Sequence, residues 1–151
     1  MAPAAEKGLN LVSNPSDKVL RPEPTTQMIP YDLLIVDDST AIRKILQRVL
    51  HSAEIPLRNV YEASDGVEAL AVLKANEVSL ILSDINMPNM DGLQLLTQIR
   101  ANEAWKKVPV IMITTEGSEV KVMEAAQLGA NGYVRKPFTP EQIKSTLAGL
   151  A

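Results

Sequence analysis

Short apolar runs alternate with amphipathic stretches from Tyr31 to Leu150, which predicts an α/β fold: a doubly wound, five-stranded parallel sheet with five helices. A further observation agrees. Four of the runs end in side chains with useful chemistry: Asp37-Asp38 after Leu33–Val36, Asp84 after Leu80–Ser83, Thr114 after Val110–Ile113, and Lys136 after Tyr133-Val134. Ligand sites of such sheets lie beyond the carboxyl ends of the strands, at the switch in strand order, so these residues describe one site.

The elements follow in order. Leu33–Val36 reads as a buried strand, and Ser39 or Thr40 can cap a helix whose apolar face is Ile42, Ile45, Leu46, Val49 and Leu50. Val60–Ala63 is a shorter strand, and the turn Ser64-Asp65-Gly66 opens a helix carrying Val67, Leu70, Ala71 and Leu73. Leu80–Leu82 is the third strand. A helix follows Asp91-Gly92 through Leu93, Leu96 and Ile99. Pro109–Ile113 is the fourth strand, with a helix from about Ser118 to Leu128 that Gly129-Ala130-Asn131-Gly132 breaks. Tyr133-Val134 lies in the fifth strand, and the last helix starts at Thr139 or Pro140 and presents Ile143, Leu147 and Leu150.

Residues 1–30 differ from the rest. They hold Pro3, Pro15, Pro22, Pro24 and Pro30 without any periodicity, and their charges cancel. They read as a mostly disordered leader in front of one domain over residues 31–151, with Leu9–Val12 as a candidate docking segment.

Composition excludes several classes. A net charge of −3 provides no basic field for nucleic acid and no polybasic stretch for anionic lipid. The absence of cysteine removes thiol catalysis and disulfides and fits a reducing cytoplasm. No apolar run approaches a membrane span.

Three carboxylates at one sheet edge repel: two unit charges about 4 Å apart cost about 4 kcal/mol at an effective dielectric of about 20. Asp37, Asp38 and Asp84 therefore predict a hard divalent cation, and no His or Cys set stands nearby to favour zinc. Magnesium fits, because it accepts a few protein oxygens and keeps waters and phosphate oxygens. Lys136 adds a positive charge and Thr114 a hydroxyl donor. A carboxylate nucleophile, a cation, a lysine and a hydroxyl form an apparatus for phosphoryl transfer onto aspartate.

Asp37-Asp38, Asp84 with Met87-Pro88-Asn89-Met90-Asp91-Gly92, Thr114 and Lys136-Pro137-Phe138, in that order, resemble the receiver domain of two-component response regulators. The resemblance covers about Tyr31 to Leu150 and implies the flavodoxin-like receiver fold. It implies that Asp84 is the phosphoacceptor, loaded from a phosphohistidine of a sensor histidine kinase. Asp38, Asp84 and the backbone carbonyl of Asn86 would hold Mg2+ directly, with Asp37 assisting through water, and Thr114 and Lys136 would grip the phosphoryl oxygens. Thr114 and Tyr133 would be the switch pair, altering a face of the fourth helix, fifth strand and fifth helix that a downstream protein binds. Asn86 and Glu116 match the fast-hydrolysing chemotaxis regulators, whereas Thr115 is bulkier than the residue usual there; the three would tune hydrolysis. The runs Asp84–Gly92 and Gly132–Thr139 most resemble the single-domain chemotaxis type, and because the chain stops after the last helix no output domain is expected.

Other readings are weaker. A phosphorylation-independent interaction module would usually lack part of the set Asp37, Asp38, Asp84, Thr114 and Lys136, which is intact here. A phosphohydrolase of the haloacid-dehalogenase type needs an acid two residues after its nucleophile, where this chain has Asn86. A phosphate sink or relay intermediate is compatible with the same residues. Phosphate uptake would be self-catalysed, so the protein is not expected to be an enzyme. Asp91-Gly92 reads as a turn and helix start, His51 as a bystander, and Trp105 as a loop cover.

Overall fold

A computed structural model of the chain describes residues 29–115 and 119–150. The elements are β1 (Tyr31–Val36), α1 (Thr40–Ser52), β2 (Leu57–Ala63), α2 (Gly66–Ala75), β3 (Leu80–Asp84), α3 (Gly92–Ala101), β4 (Val110–Thr114), α4 (Glu119–Gln127), β5 (Gly132–Arg135) and α5 (Pro140–Ala148). All strand pairings are parallel and the sheet order is β2-β1-β3-β4-β5, so the chain reverses direction across the sheet between β1 and β3.

Strand alternation divides the core. Leu34, Val36, Ile81 and Met112 face Ala69, Leu73, Leu95, Leu96, Ile99 and Ala125 of α2, α3 and α4. Leu33, Ile35, Leu82, Ile111 and Ile113 face Leu46, Leu50, Ile143 and Leu147 of α1 and α5. β3 and β4 are buried at every position, the signature of a central parallel strand covered on both faces.

Two strands are longer than their apolar runs. β1 begins at Tyr31 rather than Leu33, and β2 at Leu57 rather than Val60. In β2, an edge strand, the added residues include the polar Arg58 and Asn59. Arg58 and Asn59 reach across to Asp32 at 2.6–3.0 Å, and this holds the Asp32 carboxyl down at about 2. Helix starts fall where short polar side chains can cap them. Ser39 accepts from Ile42 N, Asp65 from Glu68 N and Thr139 from Gln142 N, while Asp91 and Gln94 form a reciprocal capping box. His51 is exposed on α1, and Trp105 packs partly buried against the α2–α3 side of the core. The expected leader lies outside the described residues except for Ile29 and Pro30.

Candidate functional site: an acidic pocket at the strand ends

The sheet order brings the strand-end residues together. β1 delivers Asp37 and β3 delivers Asp84 on either side of the topological switch, while Thr114 ends β4 and Lys136 follows β5. Oxygen atoms of Asp37, Asp38 and Asp84 all lie within 4.8 Å of one another. Asp37 and Asp84 are buried, whereas Asp38 is exposed. Adjacent aspartates thus present one carboxylate to the interior and one to solvent.

Lys136 is the counter-charge. Its Nζ donates to Asp37 Oδ2 at 2.9 Å and stands 3.6 Å from Asp84 Oδ2, with the lysine side chain only 13% exposed. That placement distinguishes it from a solvated surface lysine. Backbone groups fix the carboxylates further: Ser39 N donates to Asp37 Oδ1 at 2.9 Å and Ile85 N to Asp84 Oδ1 at 2.8 Å. Burial, then the Asp37 charge, push the Asp84 carboxyl above its usual value, against the pull of Lys136 and the Ile85 amide. One lysine among three carboxylates leaves a net negative pocket of oxygen donors, the chemistry a hard divalent cation answers.

Thr114 is buried, and its carbonyl accepts from Lys136 N at 2.6 Å, which ties the lysine's backbone to the end of β4. Asn86 and Thr115 are exposed at the rim. Tyr133 is 47% exposed on β5, paired in register with Met112. Glu116 lies outside the described residues.

Four supporting contacts do not follow from the sequence pattern alone. A Cβ at Gly92 would press into the Asp84 carbonyl oxygen and lie 2.9 Å from both Ile85 Cα and Met112 Cε, so the turn glycine also permits close passage beneath the site. Asn89, at φ 66°, donates to Asp65 Oδ2 at 2.6 Å, and Gly66 N donates to Met90 O at 3.0 Å. The β3–α3 loop is therefore clamped to the start of α2. Arg43 of α1 donates to the Asp37 carbonyl at 2.6 Å. Only the Asn in a turn carried a sequence signal, its tolerance of positive φ.

A model of the response regulator receiver domain matches residues 33–148. The chain belongs to the response regulator receiver family. Among curated relatives, chemotaxis protein CheY-3 of Vibrio cholerae is 44% identical over 115 residues, covering 76% of this chain and 87% of the relative. Chemotaxis protein CheY1 of Helicobacter pylori is 43% identical over 116 residues, covering 76% and 92%. Among solved structures, the chemotaxis response regulator CheY4 of Vibrio cholerae superposes with a TM-score of 0.69 at 38% identity, covering 79% of this chain and 97% of that one. The Mn2+-bound form of response regulator Rcp1 superposes with a TM-score of 0.67 at 30% identity, covering 79% and 91%. This receiver is thus a phospho-receiver of two-component signalling, of the chemotaxis type. Among its described residues no helix is long and apolar enough to cross a membrane.

Proposed function

We propose that this receiver takes a phosphoryl group onto Asp84 from a histidine kinase and signals by a change in its protein-binding surface. The observation that carries the reading is the clustering of the Asp37, Asp38 and Asp84 carboxylates, two of which, Asp37 and Asp84, are met by Lys136. Asp84 attacks phosphorus with a carboxylate oxygen as the N–P bond of the donor phosphohistidine breaks, and the bonding pair returns to the imidazole nitrogen. Lys136 Nζ, already 3.6 Å from Asp84 Oδ2, meets the charge on the incoming phosphoryl oxygens, and the Thr114 hydroxyl donates to another.

Asp38, Asp84 and the Asn86 carbonyl are the residues to hold Mg2+, with Asp37 acting through water. Bound there, the ion supplies positive charge against which phosphoryl oxygens are neutralised. The transfer is self-catalysed by the receiver's own pocket. Asn86, Thr115 and Glu116 tune hydrolysis of the acyl phosphate from the rim.

Phosphorylation adds close to two negative charges and three acceptor oxygens. Movement of Thr114 toward them opens space beside β4 into which the Tyr133 ring turns, remodelling the face of α4, β5 and α5 for a downstream protein. A target shifts this equilibrium only by its difference in affinity for the two states. Similarity to chemotaxis proteins supports a motility output in the cytoplasm. Residues 1–30 are read as a leader outside the receiver proper.

The test is intact mass after incubation with acetyl phosphate and Mg2+. A phosphate adduct is expected on the parent, absent from Asp84→Asn and absent when Mg2+ is chelated. An adduct that persists in Asp84→Asn would remove the acceptor assignment.

A further inference from the structure

Arg43 lies beneath the acidic pocket without entering it. Its Nη1 donates to the Asp37 carbonyl at 2.6 Å, its Nε to Glu62 Oε1 at 2.8 Å, and its Nη2 to Thr40 Oγ1 at 3.2 Å. The Arg43 side chain is 14% exposed and that of Glu62 28%. Arg43 is the first cause that holds the Glu62 carboxyl down at about 2, so this pair stays ionised throughout the neutral range. Asp37 is in turn fixed at both carboxylate oxygens, by Ser39 N and Lys136 Nζ. A continuous path therefore runs from the edge strand β2, through one guanidinium, to the turn that carries Asp37 and Asp38.

Nothing in the proposed chemistry uses Arg43 or Glu62. A cation placed near a cation pocket is, by charge alone, unfavourable for metal binding. Its retention at hydrogen-bonding distance from the Asp37 backbone points to geometry instead. A guanidinium holds its acceptors in the fixed directions of one planar fork, whereas the three donors of an ammonium rotate.

We propose that Arg43, held by Glu62, is a positioning residue that sets the Asp37-Asp38 turn, so that the pocket's cation affinity depends on a side chain that touches neither cation nor phosphate. The inference rests on the reading of Asp37, Asp38 and Asp84 as the cation site. Outer-shell contacts that orient ligands alter metal affinity by about tenfold or more when removed.

Charge and positioning predict opposite signs, and this makes the test clean. Mg2+ binding to the full chain would be measured by titration calorimetry for the parent, Arg43→Ala, Arg43→Lys, Glu62→Gln, Lys44→Ala and the double variant Arg43→Ala/Glu62→Gln. Coulomb repulsion alone predicts tighter Mg2+ binding in Arg43→Ala and no change in Arg43→Lys. Positioning predicts a Kd raised about tenfold in Arg43→Ala and clearly raised in Arg43→Lys, which keeps the charge if the alanine variant folds poorly. Because Glu62 acts through Arg43, Glu62→Gln weakens binding in the parent and adds nothing in the Arg43→Ala background. Lys44 also pairs with Glu62, at 3.0 Å, but from an exposed position on α1, so Lys44→Ala leaves Kd within about twofold. An unchanged or lowered Kd in Arg43→Ala, or a parental Kd in Arg43→Lys, overturns the positioning role. If the parent itself binds no Mg2+ and takes no phosphate from acetyl phosphate, the cation-site reading fails instead, and the two failures are told apart.

Discussion

Asp84, the proposed phosphoacceptor, also carries an internal cost. Its carboxyl is raised by burial and by Asp37, so the folded state disfavours the ionised form relative to the unfolded chain. Above both pKa values the group destabilises the fold, and the penalty shrinks as pH falls from the raised folded-state value to the ordinary carboxylate value, below which it is gone. Asp84→Asn is therefore expected to be more stable than the parent at pH 7 without Mg2+, with the difference vanishing near pH 3. Urea unfolding at the two pH values measures it. Adding Mg2+ should then stabilise the parent by mass action and the variant much less, which a thermal melt with and without chelator checks. Equal stability of the two proteins at pH 7 would mean that Lys136 already neutralises the strain.

At the scale of the element, the β3–α3 connection decides whether Asp84 faces the pocket. Gly92 N donates to Ile85 O at 2.7 Å, and the glycine's missing Cβ lets α3 begin directly beneath the Asp84 carbonyl. Backbone atoms cannot swing aside as a flexible side chain can, so Gly92→Ala must displace the loop or the helix start. We expect a loss of about 2–4 kcal/mol in chemical denaturation, together with slower phosphate uptake from acetyl phosphate. A stable Gly92→Ala protein with parental uptake would show that the loop can give way without disturbing Asp84. The capping box of Asp91 and Gln94 fixes the same helix start from the solvent side.

Across the whole molecule, Arg100 joins α3 to the half of the sheet that carries Tyr133. Its guanidinium donates twice to Gly129 O at 2.9–3.0 Å, to Val108 O at 2.9 Å and to Asn131 Oδ1 at 2.9 Å. Asn131 Oδ1 also accepts from Val110 N, so one partly buried side chain orders both ends of the β4–α4–β5 unit. Arg100→Ala leaves these acceptors without that donor and should cost about 2–3 kcal/mol. Hydrogen exchange should show the loss in the α4–β5 turn, while β1 and β3 keep their protection. Uniform loss of protection would make Arg100 a global rather than a regional tie.

The fold class was legible because alternation of apolar runs with amphipathic stretches depends only on local period, and the strand ends of a parallel sheet necessarily share one edge. The acid pair, Asp84, Thr114 and Lys136 were legible because an ionisable or polar group ending a buried strand has to be answered by another. Tertiary structure alone decided which carboxylate each group answers. Lys136 bonds Asp37 rather than standing equally between the aspartates, a contact spanning 99 residues that follows from the strand order β2-β1-β3-β4-β5. The assembled fold also decided that Asp37 is buried and Asp38 exposed, and that Asn89 meets Asp65. Sequence periodicity states which residues turn inward, but side-chain partners depend on distances between elements far apart in the chain, and those exist only once the sheet is assembled.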